Sequence, residues 1–162
     1  STTRPTSFLA WETQEIGSMG PNEPTEPPAI DWERLKSWAS EAMTRAYAPY
    51  SNFVVGAAGI VDDGRTVVGA NVENASYGLS LCAECSLVSD LVRTGGGRLI
   101  AVAIVSGSGE PCSPCGRCRQ LLHEHGGPDC QVNGDGTVRT VGELLPGAFD
   151  SKLLETDDAS ES

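Results

Sequence analysis

The chain has 162 residues, of which 39% are hydrophobic and 20% charged, and this composition is typical of one globular domain that buries a core. Its 22 acidic and 11 basic residues give a formal net charge of −11, and the basic residues are scattered, so we expect no nucleic-acid partner. The longest apolar run, residues 99–105, is far shorter than the roughly 20 residues that cross a bilayer, so we expect no membrane span.

The first part of the chain is predicted to be a flexible arm followed by an amphipathic helix. Residues 1–28 are rich in proline and small polar residues, and they lack both a periodic apolar pattern and the apolar segment of a secretory signal. From Asp31 onward, apolar residues recur at steps of three and four, with Asp31 as the N-cap. We expect this helix to end before Pro49, and Trp32 and Trp38 to lie in the core or at a subunit contact.

The middle of the chain has the pattern of a hairpin, a helix and a buried strand. An Asp-Gly step between two strand-like runs is a strong hairpin signal, and a short continuous apolar run is typical of a strand that is buried on both faces. The predicted elements are strands at residues 53–61 and 66–72, a helix at residues 81–93 capped by Ser80, and a strand at residues 99–105.

The last part of the chain continues this alternation of helices and strands. A third helix is predicted to begin near Pro114 and to stop at a pair of glycines, followed by a short strand near residues 130–132 and a helical turn at residues 141–145. This order indicates an α/β domain in which helices cover an apolar central strand. We assign the domain to residues 29–150 and predict that the acidic residues 151–162 form a flexible tail.

The six cysteines all lie between Cys82 and Cys130. Without a signal or membrane segment we expect cytoplasmic residence, where crowded cysteines indicate a metal site or catalysis rather than disulfides. Cys82 and Cys115 each stand at the start of a predicted helix, where the helix dipole favours the thiolate that binds metals. Together with Cys118 they can bind zinc and leave the fourth position to water, with Glu84 nearby as a proton carrier.

Four motifs in this part of the chain closely resemble the cytidine deaminase family. Their order of Cys, any residue and Glu, followed later by Pro-Cys-x-x-Cys, matches the pattern known for zinc deaminases. The resemblance covers about residues 30–150 and implies a three-layer α-β-α domain with a central mixed sheet of about five strands. The motifs are Tyr50-Ser51-Asn52-Phe53, Asn71-Val72-Glu73-Asn74-Ala75-Ser76-Tyr77-Gly78, Cys82-Ala83-Glu84 and Pro114-Cys115-Gly116-Arg117-Cys118-Arg119-Gln120.

The resemblance implies hydrolytic deamination of cytidine and deoxycytidine in pyrimidine salvage, with one Zn²⁺ per chain. Glu84 would carry a proton from a zinc-activated water to the pyrimidine ring nitrogen, and acid–base work of this kind contributes about 10² to 10⁴ in rate. Asn71 and Glu73 would bind the ribose hydroxyl, and Phe53 would pack on the nucleoside. The implied zinc ligands are Cys82, Cys115 and Cys118, and the implied substrate contacts are Phe53, Asn71, Glu73, Ala83 and Phe149.

The assembly follows from the same resemblance. Small members of the family are homotetramers in which an aromatic residue from the C-terminal segment of one subunit reaches the site of its neighbour. Phe149 matches that pattern, so the resemblance implies a homotetramer whose partners are a nucleoside and further copies of the chain.

Cys85 is a departure from the family pattern. Many members have Arg directly after Cys-Ala-Glu, and a cation there would moderate the excess negative charge of three thiolates on one zinc ion. We expect either Arg117 or Arg119 to supply the missing donor, or the helix N-termini to suffice.

Several other interpretations of the cysteines remain open at this point. Cys82, Cys85, Cys115 and Cys118 form two Cys-x-x-Cys pairs, which a closed structural zinc site in a non-enzymatic module would also use. Cys112 extends the second pair to a run like part of an iron–sulfur ligand set. Within enzymes, a deaminase of a cytosine-nucleoside antibiotic is the alternative.

Three further residues are predicted to have no part in the chemistry. His123 and His125 fall in the last turn of the third predicted helix, where surface histidines are favoured by the helix dipole. Cys130 is predicted to be a small buried hydrophobic residue.

Overall fold

The computed structural model describes residues 29–154, and in this part of the chain six strands form one mixed sheet. The strands are β1 (Val55–Val61), β2 (Thr66–Ala70), β3 (Leu99–Ser106), β4 (Glu110–Pro111), β5 (Gln131–Asn133) and β6 (Val138–Thr140). Their order is β2-β1-β3-β5-β6, with β4 paired to β3. Because β3 is antiparallel to β1 and parallel to β5, the sheet is mixed, as predicted. The predicted arm at residues 1–28 lies outside the described residues.

Helices cover both faces of the sheet. The α-helices of the described residues are α1 (Trp32–Met43), α2 (Ala83–Arg93), α3 (Gly116–Gly126) and α4 (Val141–Leu144). Helix α1 packs on one face of the sheet, and α2 and α3 pack on the other. Each face of the sheet has its own buried apolar cluster. The predicted three-layer α-β-α architecture is therefore confirmed.

The alternating side chains of β3 supply both clusters, as the two-residue period of a strand requires. Ala101, Ala103 and Val105 face α1, whereas Val102 and Ile104 face the α2 side. The small residues toward α1 permit a close approach, which is closest at Gly56 of β1. A Cβ atom at Gly56 would lie 2.0 Å from the carbonyl oxygen of Ala39.

A second glycine brings α2 close to the other face of the sheet. Gly69 lies in β2, and a Cβ atom there would lie 2.3 Å from both the carbonyl oxygen of Ala83 and the backbone nitrogen of Leu87. Leu87 and Leu91 of α2 are fully buried against the sheet. The start of α2 is thus held at a defined height above β2.

The start of α2 differs from the prediction. The helix begins at Ala83 with Cys82 as N-cap, not at Leu81 with Ser80 as cap. Leu81 is extended instead, because its backbone exchanges hydrogen bonds of 2.8 and 2.9 Å with the backbone of Val72. This bridge places Cys82 at the N-cap of the helix.

The remaining elements agree with the prediction in kind, and their ends shift by a few residues. The helix cap at Asp31 and the hairpin between β1 and β2 are confirmed. Strands β4 and β6 were not predicted, and residues Ser151–Leu154 form a 3-10 turn at the start of the predicted tail. Among the described residues, no helix combines the length and the apolar character needed to cross a bilayer.

Candidate active site

Three thiols from two helix starts converge at one point. Cys82 is the N-cap of α2, Cys115 is the N-cap of α3, and Cys118 lies in the first turn of α3. Their sulfur atoms all lie within 4.8 Å of one another, and those of Cys82 and Cys115 are 3.8 Å apart. The packing of α2 against α3 therefore creates the three-cysteine group that the motifs predict.

The electrostatics of this group fit a divalent cation. Burial raises the pKa of the Cys82 thiol, and burial followed by the Glu84 carboxylate raises the pKa of Cys118. At Cys115 burial acts in the same direction, but hydrogen bonds from Cys118 outweigh it and the pKa is lowered. Each thiolate that forms raises the pKa of the neighbouring thiols by charge repulsion, and a zinc ion bound between them compensates the negative charge. Three thiol ligands also leave one position of a tetrahedral zinc open.

Glu84 lies in the first turn of α2, beside the thiols. Only 3% of its surface is exposed, and burial raises the pKa of its carboxyl group above the usual value. A raised pKa brings a carboxyl group closer to the pH at which it can both accept and return a proton. Its environment is therefore that of a general acid and base.

A cavity of about 240 Å³ opens over this group, with a volume suited to a small molecule. Most of the residues predicted to touch substrate line it, whereas Cys118 lies behind the wall and Phe149 does not line it. The lining consists of Phe53, Val55, Asn71, Glu73, Ser80, Leu81, Cys82, Ala83, Glu84, Ile104, Cys112, Ser113 and Cys115.

Asn71 holds the loop that carries Phe53. Its amide nitrogen donates to the carbonyl oxygen of Phe53 at 2.8 Å, and its amide oxygen accepts from the backbone N–H of Val55 at 2.8 Å. Asn71 is only 8% exposed, whereas Phe53 is 53% exposed and turns toward the cavity. The second amide hydrogen of Asn71 remains available to a ligand.

Glu73 holds the preceding part of the same loop. Its carboxylate accepts from the backbone N–H groups of Tyr50 and Ser51 at 2.9 and 3.2 Å, and from the Ser51 hydroxyl. The Ser51 hydroxyl, followed by the two backbone donors, holds the pKa of Glu73 below its usual value despite partial desolvation. Glu73 therefore stays ionised, and a carboxylate has lone pairs left for a hydroxyl group of a ligand.

This geometry agrees with a comparison against known protein families. The model of the cytidine and deoxycytidylate deaminase zinc-binding region matches residues 30–133, which include every residue of the thiol group. The chain belongs to this family. It is a zinc-dependent deaminase, and one Zn²⁺ per chain fits its cluster of three cysteines.

Relatives of this deaminase confirm the assignment over the described part of the chain. It is 56% identical over 122 residues to the cytidine deaminase of Mycobacterium tuberculosis, an alignment that covers 75% of this chain and 92% of the relative. The crystal structure of the Mycobacterium leprae cytidine deaminase is 57% identical, with a TM-score of 0.72, over 73% of this chain and 99% of that one. The cytidine deaminase of Halalkalibacterium halodurans is 43% identical over 125 residues.

Arg117 and Arg119 were the two side chains considered as replacements for the missing arginine, and in this deaminase Arg117 lies beside the thiols. Its Nη2 atom lies 3.8 Å from the sulfur of Cys82, 3.6 Å from that of Cys85 and 3.3 Å from the carbonyl oxygen of Ser80. Arg119 points elsewhere and donates to the carbonyl oxygens of Pro114 and Leu144 at 3.1 and 2.9 Å. Of the two candidates, only Arg117 contacts the thiols.

The other two nearby cysteines stay outside the group. Among the described residues, Cys85 and Cys112 do not join the set of mutually close ligand atoms, so neither a closed four-cysteine site nor an iron–sulfur set forms. The sulfur of Cys85 faces Arg117, and Cys112 lines the cavity wall. Cys130 is 1% exposed, which confirms its prediction as a buried apolar residue, and burial raises its pKa to about 12.

The surface location predicted for His123 is wrong. Its side chain is 11% exposed, and its Nε2 atom lies 3.4 Å from the carboxylate of Asp150. The sequence separates these two residues by 27 positions, so no local pattern indicated the contact.

Proposed function

We propose that this deaminase hydrolyses cytidine and deoxycytidine to uridine and deoxyuridine with release of ammonia, a reaction of pyrimidine salvage. The observation that carries the proposal is the convergence of three thiols and the buried carboxyl group of Glu84 on one small cavity. The relatives described as cytidine deaminases support the choice of substrate. We also propose that it works in the cytoplasm, where its six free cysteines stay reduced.

Cys82, Cys115 and Cys118 would hold the zinc ion in this proposal. The bound ion supplies a Lewis acid that makes water a nucleophile near neutral pH. Glu84 accepts the proton of that water as the oxygen adds to C4 of the pyrimidine. It would then deliver this proton to the ring nitrogen. Glu84 would next carry the proton of the added hydroxyl to the exocyclic amine, so that the C4–N bond breaks, the amine leaves as ammonia and C4 keeps the oxygen as a carbonyl, with one water consumed for each ammonia released.

The remaining cavity residues would bind and orient the nucleoside. The carboxylate of Glu73 and the amide of Asn71 would receive the ribose hydroxyl, with Phe53 packed on the nucleoside and the fully buried Ala83 forming the floor beside the ring. A second cavity of about 260 Å³ shares Glu73 and Ser80 with the first and would hold the sugar. Its lining consists of Tyr50, Ser51, Glu73, Tyr77 and Ser80.

Phe149 would complete the site from a neighbouring subunit. Its ring is 56% exposed, and it does not line the cavity of its own chain. A homotetramer in which Phe149 of one subunit covers the nucleoside of the next would account for this exposure. Tyr77, which lines the second cavity, and Leu79, next to the cavity residue Ser80, are exposed and would be buried in the same contact.

The test compares the parent protein with Glu84→Gln, which keeps the shape of the side chain. We expect the parent to release ammonia from cytidine and the variant to lose about 10² to 10⁴ in kcat while each retains one zinc per chain. Zinc content is measured on the same samples. A zinc-loaded parent that releases no ammonia from either nucleoside would refute the proposal, and a set of cytosine-nucleoside analogues would then be tested.

A further inference from the structure

Helix α3 holds the C-terminal segment of the described chain at successive turns. Gln120 donates from Nε2 to the carbonyl oxygen of Phe149 at 2.9 Å, and the Nε2 atom of His123 lies 3.4 Å from the Oδ2 atom of Asp150. Arg119, the residue before Gln120, donates to the carbonyl oxygen of Leu144. The two residues on which Gln120 and His123 act are Phe149 itself and its immediate neighbour.

The His123 contact is sheltered from water. The side chain is 11% exposed, and its Nδ1 atom is buried with no hydrogen-bond partner in the described part of the chain. A buried N–H without an acceptor is costly, so a proton on Nε2 is favoured over one on Nδ1, and the Nε2 N–H donates to Asp150. The backbone N–H of Lys152, followed by His123, lowers the pKa of Asp150 and keeps it a carboxylate.

We propose that Gln120 and His123 are positioning residues for the deamination: they clamp residues 149 and 150 to α3 and so fix the direction in which Phe149 extends toward the neighbouring active site. This inference rests on the role of Phe149 in the proposed function. We call the two contacts, Gln120 to Phe149 and His123 to Asp150, the C-terminal clamp.

The clamp matters because residues 145–150, which carry Phe149, belong to no helix or strand. Helix α4 ends at Leu144, and Gly147 adopts a positive φ of 63°, a conformation that glycine reaches without strain. An exposed aromatic ring on such a segment loses conformational freedom when it closes over a ligand. A clamp that orders the segment beforehand removes this loss from the binding step, so it acts on KM more than on kcat.

The test is a double-mutant cycle on the full-length, zinc-loaded protein. We expect His123→Leu to raise KM for cytidine about three- to tenfold, the effect of losing one hydrogen bond of ordinary strength, with kcat within about twofold of the parent. Gln120→Met, which keeps the side-chain length but removes the donor, should act in the same direction. His123→Gln keeps an N–H that can reach Asp150 and should restore most of the affinity.

Measuring His123→Leu in the Phe149→Ala variant decides whether the clamp acts through Phe149. If the clamp acts only through Phe149, His123→Leu raises KM in the parent and has no further effect in Phe149→Ala. His125→Leu, the same substitution two positions along α3, is the matched control and should leave KM unchanged. Leucine replaces a nearly buried ring that has an unpartnered nitrogen, so the Tm of His123→Leu should stay near that of the parent.

Three outcomes would overturn the inference. If Phe149→Ala raises KM but His123→Leu and Gln120→Met match the parent, the clamp is wrong and the role of Phe149 stands. Additive effects of His123→Leu and Phe149→Ala also exclude the clamp, because the histidine then acts elsewhere. If Phe149→Ala leaves KM unchanged, the proposed role of Phe149 fails and the clamp with it.

Discussion

The guanidinium of Arg117 lies 3.8 Å from the sulfur of Cys82, one of the three proposed zinc ligands. The arginine comes from the first turn of α3, whereas in many family members it follows the Cys-Ala-Glu motif on the facing helix. A cation at this distance withdraws charge from a thiolate whichever helix supplies it. The thiols of this chain therefore have a cationic neighbour although no arginine follows the Cys-Ala-Glu motif.

We expect Arg117→Gln to lower kcat about 10- to 100-fold with one zinc per chain retained, because a thiolate without its cationic partner donates more charge to the metal and makes it a weaker Lewis acid. Steady-state kinetics with metal analysis of the same samples measures both quantities. Arg119→Gln is the comparison and should mainly lower Tm, since Arg119 binds two backbone carbonyls. Equal turnover in the parent and Arg117→Gln would show that the helix N-termini suffice.

Cys85→Ser separates an open zinc site from a closed one. The sulfur of Cys85 contacts Arg117 and is not part of the three-thiol group, so the variant should keep one zinc per chain and most of its activity. Cys115→Ser, which removes a proposed ligand, should lose both. Loss of the metal from Cys85→Ser would instead indicate a four-cysteine site.

Glu73→Gln tests the proposed ribose contact. The amide presents a donor where the carboxylate accepts from Tyr50, Ser51 and the sugar, so KM for cytidine should rise about 10- to 100-fold with a smaller change in kcat. Glu124→Gln on the exposed side of α3 serves as the matched control. A KM equal to that of the parent would remove Glu73 from the binding site.

Gly69→Ala tests the packing that sets the height of α2. The added Cβ would lie 2.3 Å from the backbone of Ala83 and Leu87, so the helix must move together with Cys82 and Glu84. We expect a loss of about 3 kcal/mol in the free energy of unfolding and weaker zinc retention, measured by denaturant titration and metal analysis. At Gly78 no atom lies within 4 Å of an added Cβ, so Gly78→Ala should be close to neutral.

Local patterns predicted most of the fold and most of the cavity lining. The continuous apolar run of β3, the Asp-Gly step between β1 and β2, the cap at Asp31 and the cysteine motifs are all readable over a few neighbouring residues. The failures involve long-range partners. The start of α2 depends on pairing between Leu81 and Val72, and strand β6 is a three-residue edge strand with exposed side chains.

Long-range contacts also decide what the sequence left open near the site. The sequence did not distinguish Arg117 from Arg119 as the donor to the thiols, because that depends on how α3 is rotated against α2. It also missed that Asn71 and Glu73 hold the loop of residues 50–55 in addition to facing the cavity. Side-chain hydrogen bonds to backbone groups some 20 positions away have no local signature.

The capping of α2 and α3 by cysteine has a consequence for the lifetime of the protein. Sulfur is a weak hydrogen-bond acceptor, so a cysteine at the N-cap stabilises the start of α2 or α3 less than a serine or aspartate would. A metal ion bound by both thiols joins the two helix starts and stabilises the folded state, and this stabilisation grows with the logarithm of the metal's affinity. A chain that fails to acquire zinc is then both inactive and easier to unfold, which exposes inactive copies to proteolysis first.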